Sequence, residues 1–162
     1  MAGSEALGIE GARVDLFNGA TWALTPTDHT DPDALSLVHS VVRSLGAEVV
    51  TLDPARHDRL VATVSHVPHL TAAALMGVAD ERSVEHPALK RLAAGGFRDM
   101  TRIAAGDPRI WLDICNDNTD AICEVLDGLV DSLTEIRSIV AEGRTDELSE
   151  RLTRAQVARR NL

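Results

Sequence analysis

Residues 21–52 read TWALTPTDHTDPDALSLVHSVVRSLGAEVVTL, and the hydrophobic period changes twice within them. Thr21 to Leu24 is a short apolar run closed off by Pro26, which gives it the length and the boundary of a strand. Asp31-Pro32 then supplies a helix N-cap followed by proline at the first helical position, where its missing N–H costs nothing. Leu35, Val38, Val41, Val42 and Leu45 recur at helical spacing, and Gly46 is a C-terminal stop. Glu48 to Leu52 is a second short apolar strand. Strand, helix and strand joined by tight links make a βαβ crossover, so the two strands should run parallel. The rest of the first segment, Met1 to Thr30, is rich in Gly and polar residues and reads as loop.

From Asp53 onward no further strand is visible. Asp53-Pro54 opens a helix with Leu60, Val61 and Val64 on one face, and Pro68 should kink it by removing a backbone donor and crowding the preceding turn. A mixed stretch follows Gly77, then the pair Gly95-Gly96. The next helix is predicted as one long element with a stripe of Ile114, Ala121, Ile122, Val125, Leu129, Leu133, Ile136 and Val140, about seven turns that invite a partner helix. Gly143 ends it, and Thr145 is placed to cap a last helix. Arg151, Arg154, Arg159 and Arg160 gather near that helix's C-terminus, where cations meet the negative end of its dipole. The fold class expected is mainly α, a short βαβ remnant joined near Asp53 to an all-helical domain.

Composition narrows the partners. The 162 residues suffice for a compact core without staples, and the 44% apolar content is carried by Ala, Val, Leu and Ile, with two Phe, two Trp and no Tyr. Such a core suits closely packed helices. Sixteen basic against 25 acidic residues give a net charge of −9, which repels a phosphate backbone, so nucleic acid is not an expected partner. Cys115 and Cys123 fall within the one predicted helix, about 12 Å apart along its axis and too far to bridge. They are expected to be reduced, buried thiols in a cytoplasmic protein. The absence of a long uninterrupted apolar run or a signal-peptide pattern predicts no membrane partner.

Three groups of residues carry chemistry. The first is His57-Asp58 followed by Ser65-His66-Val67-Pro68-His69, in which His66 and His69 share a helix face. Their spacing suits satisfied polar groups in a core, a substrate site or a metal. A zinc site would want a third ligand and usually a Glu base within the motif, which is missing. The second is Gly95-Gly96-Phe97-Arg98-Asp99-Met100-Thr101-Arg102, then Gly106-Asp107-Pro108 and Trp111. Paired glycines allow close backbone approach, and Arg102 with Asp99 three residues before it suits either a fixed carboxylate clamp or an exposed salt bridge. The third is Met1-Ala2-Gly3-Ser4-Glu5, a short loop. No G-x-G-x-x-G occurs in the 162 residues.

In this order the three groups resemble the prephenate and arogenate dehydrogenase family, over nearly the whole chain. Family members carry a His-Pro-Met-Ala-Gly-Ser-Glu-like segment, entered here at Met1, and a strand ending in Thr-Pro, here Thr25-Pro26. A His-Asp and a Ser-His-x-Pro-His run follow, matched from His57 to His69. Then come a Gly-Phe-x-Asp-x-Thr-Arg-Ile-Ala run from Gly96 to Ala104, a Pro-x-x-Trp-x-Asp-Ile segment from Pro108 to Ile114, and an Asn, here Asn118. The resemblance implies conversion of prephenate to 4-hydroxyphenylpyruvate, with hydride passing to NAD(P)⁺ and the ring carboxylate leaving as CO₂. It implies that residues 1–52 are the C-terminal remnant of a Rossmann-type nucleotide-binding domain and that 53–162 form a helical substrate-binding and dimerisation domain, giving a cytoplasmic homodimer.

By the same resemblance Arg102 binds a carboxylate of prephenate or arogenate, and Asp99 orients an arginine. His66, His69, Ser4, Glu5, Gly95 and Trp111 line the pocket. The family's general-base histidine falls two positions before the one Met1 occupies, and neither it nor the glycine-rich cofactor turn is among these residues. The expectation is therefore a truncated chain, inactive by itself, with no catalytic, cofactor-binding or metal-binding residue of its own. Two other readings stay open: a non-catalytic dimeric helical module that binds an aromatic carboxylate, and a metal-dependent hydrolase built on His57, Asp58, His66 and His69.

Overall fold

A computed structural model describes residues 8–162. Among the described residues ahead of the sheet lies a 3₁₀ turn, Gly8–Gly11. Strand β1 (Thr21–Leu24), helix α1 (Pro32–Ser44) and strand β2 (Glu48–Thr51) form the expected crossover, and the strands pair in parallel with Thr21 opposite Glu48 and Leu24 opposite Thr51. The punctuation works as its chemistry predicts. The Asp31 carboxylate accepts from the Asp33 N–H, Pro32 opens the helix, and Gly46 takes the positive φ of 80° that closes it. Gly46 also passes so close to Asn18 that an added Cβ would meet its Oδ1 at 2.9 Å.

Asp53 caps helix α2 (Pro54–Val61) by accepting from the Arg56 N–H. The kink expected at Pro68 is absorbed as a π turn, Ala62–His66, which runs without interruption into α3 (Val67–Glu85). In an α-helix the Pro68 nitrogen would face the Val64 carbonyl, where it has no hydrogen to offer and its ring would clash. The widened turn relieves that contact, and the Val67 N–H reaches back to the Ala62 carbonyl instead. The helix continues past Gly77 to Glu85, so the mixed stretch predicted there is helical. A single glycine costs a helix only about 1 kcal/mol against alanine, and the flanking residues carry it.

Pro54–Glu85 is thus one helical run of 32 residues, long and apolar enough by length and composition alone to cross a membrane, which the lack of an uninterrupted apolar run does not reveal. Core helices of soluble domains pass the same test. This one packs against α4 (Leu89–Leu92), α5 (Gly95–Thr101) and the 3₁₀ turn Arg102–Ala105, and buries Ala62, Val67, His69, Ala72 and Ala79.

The long helix expected from Ile114 to Val140 is in fact two, α6 (Pro108–Asp117) and α7 (Thr119–Ala141), broken at Asn118, whose φ of −124° and ψ of 35° leave the helical region. Cys115 and Cys123 therefore sit on different helices, and both are free. Cys123 is exposed and Cys115 half-buried, against the expectation of two buried thiols. Helix α8 (Thr145–Arg160) begins at Thr145 itself. Arg144 holds the cap position with no side-chain cap bond, so Thr145 is not the cap.

The described chain gathers into two compact units, one ending at Ile122 and the other running from Cys123 to Leu162. In the first, Val42, Ala47, Ala62, Val67, Ala72, Ala79, Ala121 and Ile122 are buried, an alanine-rich set that lets helix backbones approach closely. In the second, α7 and α8 turn back on each other at Gly143, φ 67°. Arg151 ties them together by donating to the Ser132 hydroxyl at 2.8 Å and pairing with Glu135.

Candidate functional site

The π turn sets the geometry of the two histidines that follow it. His66 closes the turn and is half-buried; His69, one turn into α3, is 7% exposed. Helix α6 brings Trp111 against them. The His69 and Trp111 rings stack with centroids 3.5 Å apart and planes 9° from parallel, and His66 meets the same indole edge-on at 6.3 Å and 84°. Room for the stack comes from Gly106. Its φ of −63° is open to any residue, but a Cβ there would lie 3.1 Å from Trp111 Nε1 and 3.4 Å from His69 Cε1.

Burial lowers the pKa of His66 below its ordinary value, with the Asp58 charge opposing the shift and His57 adding to it. Burial also lowers that of His69, against a hydrogen bond to the Ile103 carbonyl that favours its charged form. Both rings are held toward the neutral state. A second set of contacts ties the cluster to α2. The Asn118 side-chain amide donates to the Asp58 carbonyl at 2.9 Å and lies 3.2 Å from His66 Nδ1. The Asp58 carboxylate in turn lies 3.0 Å from His57 Nδ1.

Of the residues singled out in the sequence, His66, His69 and Trp111 come together as one aromatic cluster. Arg102 opens the 3₁₀ turn whose next carbonyl, Ile103, meets His69; the Arg102 side chain is exposed. Gly95 and Asp99 lie on α5, which packs on α3 and on that turn, and both are exposed. Ser4 and Glu5 fall outside the described residues. His57 lines a different cavity of about 430 Å³ with Trp22, Leu52, Leu60, Val61 and Val64. Among the described residues no group of three or more His, Cys, Asp or Glu is arranged to hold a metal ion, and His57, Asp58, His66 and His69 do not converge as the hydrolase reading requires.

Sequence reasoning missed the roles of Gly106 and Asn118. The signal for Gly106 was a glycine one residue ahead of an Asp-Pro cap, where no turn demands it. Asn118 was visible as the Asn of the family pattern and as a polar residue inside an apolar stripe, neither of which says what it holds.

A dinucleotide's pyrophosphate needs a helix N-terminus with open N–H groups. Helix α1 does not fit: Pro32 has no N–H, the Asp31 carboxylate already takes the Asp33 N–H, and Asp31 and Asp33 both repel an anion. The fold is a mainly helical unit carrying this aromatic cluster, joined to a two-stranded parallel α/β edge.

Comparison with known proteins agrees. Residues 1–51 match the model for the prephenate dehydrogenase nucleotide-binding domain, and residues 53–154 that for the prephenate dehydrogenase dimerisation domain. The chain is 36% identical to the prephenate dehydrogenase of Bacillus subtilis over 148 residues, 91% of this chain and 40% of that protein. It is 34% identical to the cyclohexadienyl dehydrogenase of Zymomonas mobilis over 161 residues, 98% of this chain and 55% of that one. The crystal structure of Aquifex aeolicus prephenate dehydrogenase in complex with hydroxyphenyl propionate and NAD⁺ superposes with a TM-score of 0.88 at 34% identity, covering 94% of this chain and 53% of the other. The chain belongs to the prephenate dehydrogenase family, NAD-dependent oxidoreductases of aromatic amino acid biosynthesis. It spans about half the length of the curated relatives it matches.

Proposed function

We propose that the chain serves the family's oxidative decarboxylation of prephenate, or of arogenate, and that its 162 residues supply substrate binding and dimerisation. The division would fall between residues 52 and 53. The observation that carries this is the cluster of His66, His69 and Trp111, whose stack occupies the room that Gly106 leaves by having no Cβ. An indole and two largely neutral imidazoles give an aromatic acid a flat apolar wall with hydrogen-bond donors at its rim. Arg102, at the head of the turn that holds His69, is the guanidinium for the carboxylate, with Asp99 and Gly95 beside it on α5 and Ser4 and Glu5 from the first loop.

With no glycine-rich cofactor turn in the 162 residues and α1 unsuited to a pyrophosphate, the role proposed for these residues by themselves is to bind substrate without turning it over. Two free cysteines and a water-soluble substrate fit a cytoplasmic setting. Calorimetric titration with hydroxyphenyl propionate tests the assignment. The parent should bind, and Arg102→Ala should lose about 1.5 to 3 kcal/mol, roughly tenfold or more in affinity, with its melting temperature nearly unchanged. Equal affinity in the two proteins would remove Arg102 from the site.

A further inference from the structure

We propose that Asn118 is a positioning residue that locks His66 in the tautomer with its proton on Nε2, making His66 a hydrogen-bond donor to a ligand oxygen. The geometry is over-determined. The Asn118 atom 2.9 Å from the Asp58 carbonyl must be the amide nitrogen, because the amide oxygen there would set two acceptors against each other. That nitrogen is also the atom 3.2 Å from His66 Nδ1, and an amide NH₂ offers two hydrogens and no usable lone pair. His66 Nδ1 must therefore accept, so the ring proton resides on Nε2. A doubly protonated His66 would press an N–H against an N–H.

The break between α6 and α7 is what makes this arrangement possible. By leaving helical geometry, Asn118 spans from α6 to α2 and the π turn, and its amide meets one backbone and one side-chain partner far away in sequence. His69 differs in kind, since its ring is anchored on the Ile103 carbonyl. The two histidines, three residues apart and both against Trp111, are thus prepared differently. That His66 Nε2–H faces a ligand rests on the function proposed above; the tautomer itself does not.

Long-range ¹⁵N–¹H correlation spectra of histidine-labelled protein at pH 8 test it, with His66 assigned through His66→Gln. In the parent, Nδ1 of His66 should give an unprotonated, pyridine-type shift and Nε2 a pyrrole-type shift, without the averaging of an unconstrained imidazole. Asn118→Ala should restore averaging. Asn118→Asp, which puts an acceptor in place of the donor, should draw the proton onto Nδ1, an effect that a merely structural role would not produce. Averaged shifts or a protonated Nδ1 in the parent would overturn the proposal even if neither variant folds, as would an Nδ1 left unprotonated in a folded Asn118→Asp. If hydroxyphenyl propionate fails to bind while the parent spectrum is as described, the proposed function falls and the tautomer lock stands.

Discussion

Gly106 shows how one missing methyl can shape a site. Its backbone conformation is ordinary, so replacement by alanine carries no φ penalty and should gain about 0.4 to 1 kcal/mol from a less flexible unfolded chain. Against this, the new Cβ would crowd Trp111 Nε1 at 3.1 Å and His69 Cε1 at 3.4 Å, and overpacking of this kind costs about 1 to 3 kcal/mol. Crowding outweighs the entropy gain. Gly106→Ala should be destabilised by about 1 kcal/mol, with a changed near-ultraviolet tryptophan signal and weaker binding of hydroxyphenyl propionate. An unchanged spectrum and affinity would mean that the stack is not what Gly106 protects. At this scale the histidines were legible, because spacing alone puts His66 and His69 on one helix face. Trp111 was singled out with Gly106 in the second group and given a pocket role only through the family resemblance, whereas what Gly106 and Asn118 do stayed opaque. Their roles depend on partners in other helices, which no local pattern encodes.

Among the elements, β1, α1 and β2 were legible almost to the residue, since Pro26, Asp31, Pro32, Gly46 and Asp53 each act on their own backbone within a turn of where they stand. Local signals fail where tertiary contacts overrule them. The apolar stripe runs on across Asn118 with no proline or glycine to warn of a break, yet the side chain's bonds to Asp58 and His66 compensate for leaving the helix there. Gly77 has the look of a boundary and is not one. Pro68 does perturb its helix, but its effect is a π turn instead of a sharp bend, and that turn sets the angular offset between α2 and α3. Pro68→Ala restores an N–H that can bond to the Val64 carbonyl, so the turn can tighten to α geometry and rotate His66 away from Trp111. Helicity by far-ultraviolet circular dichroism should be essentially unchanged while ligand affinity falls several-fold. Affinity equal to the parent's would show that the π turn holds without proline or does not matter to the site.

At the scale of the whole molecule, the unit from Cys123 to Leu162 leaves Val130, Leu133, Val140, Leu152 and Val157 between 50% and 60% exposed, more apolar surface than a two-helix element sustains in water. A homodimer would cover such a surface, and an obligate interface of helices buries about 2,000 Å² or more. Light scattering at micromolar concentration should give a mass near twice 17.4 kDa, and Leu133→Glu with Val140→Glu should shift it toward the monomer. A parent protein that is monomeric, or a double variant that stays dimeric, would place the contact elsewhere. In the function proposed, the aromatic cluster beside Arg102 is where the family's substrate binds. A crystal structure of the protein with hydroxyphenyl propionate decides it. The ring should lie against Trp111 and His69 with its carboxylate on the Arg102 guanidinium and an oxygen on His66 Nε2, whereas a ligand bound away from this cluster at full occupancy would rule this site out.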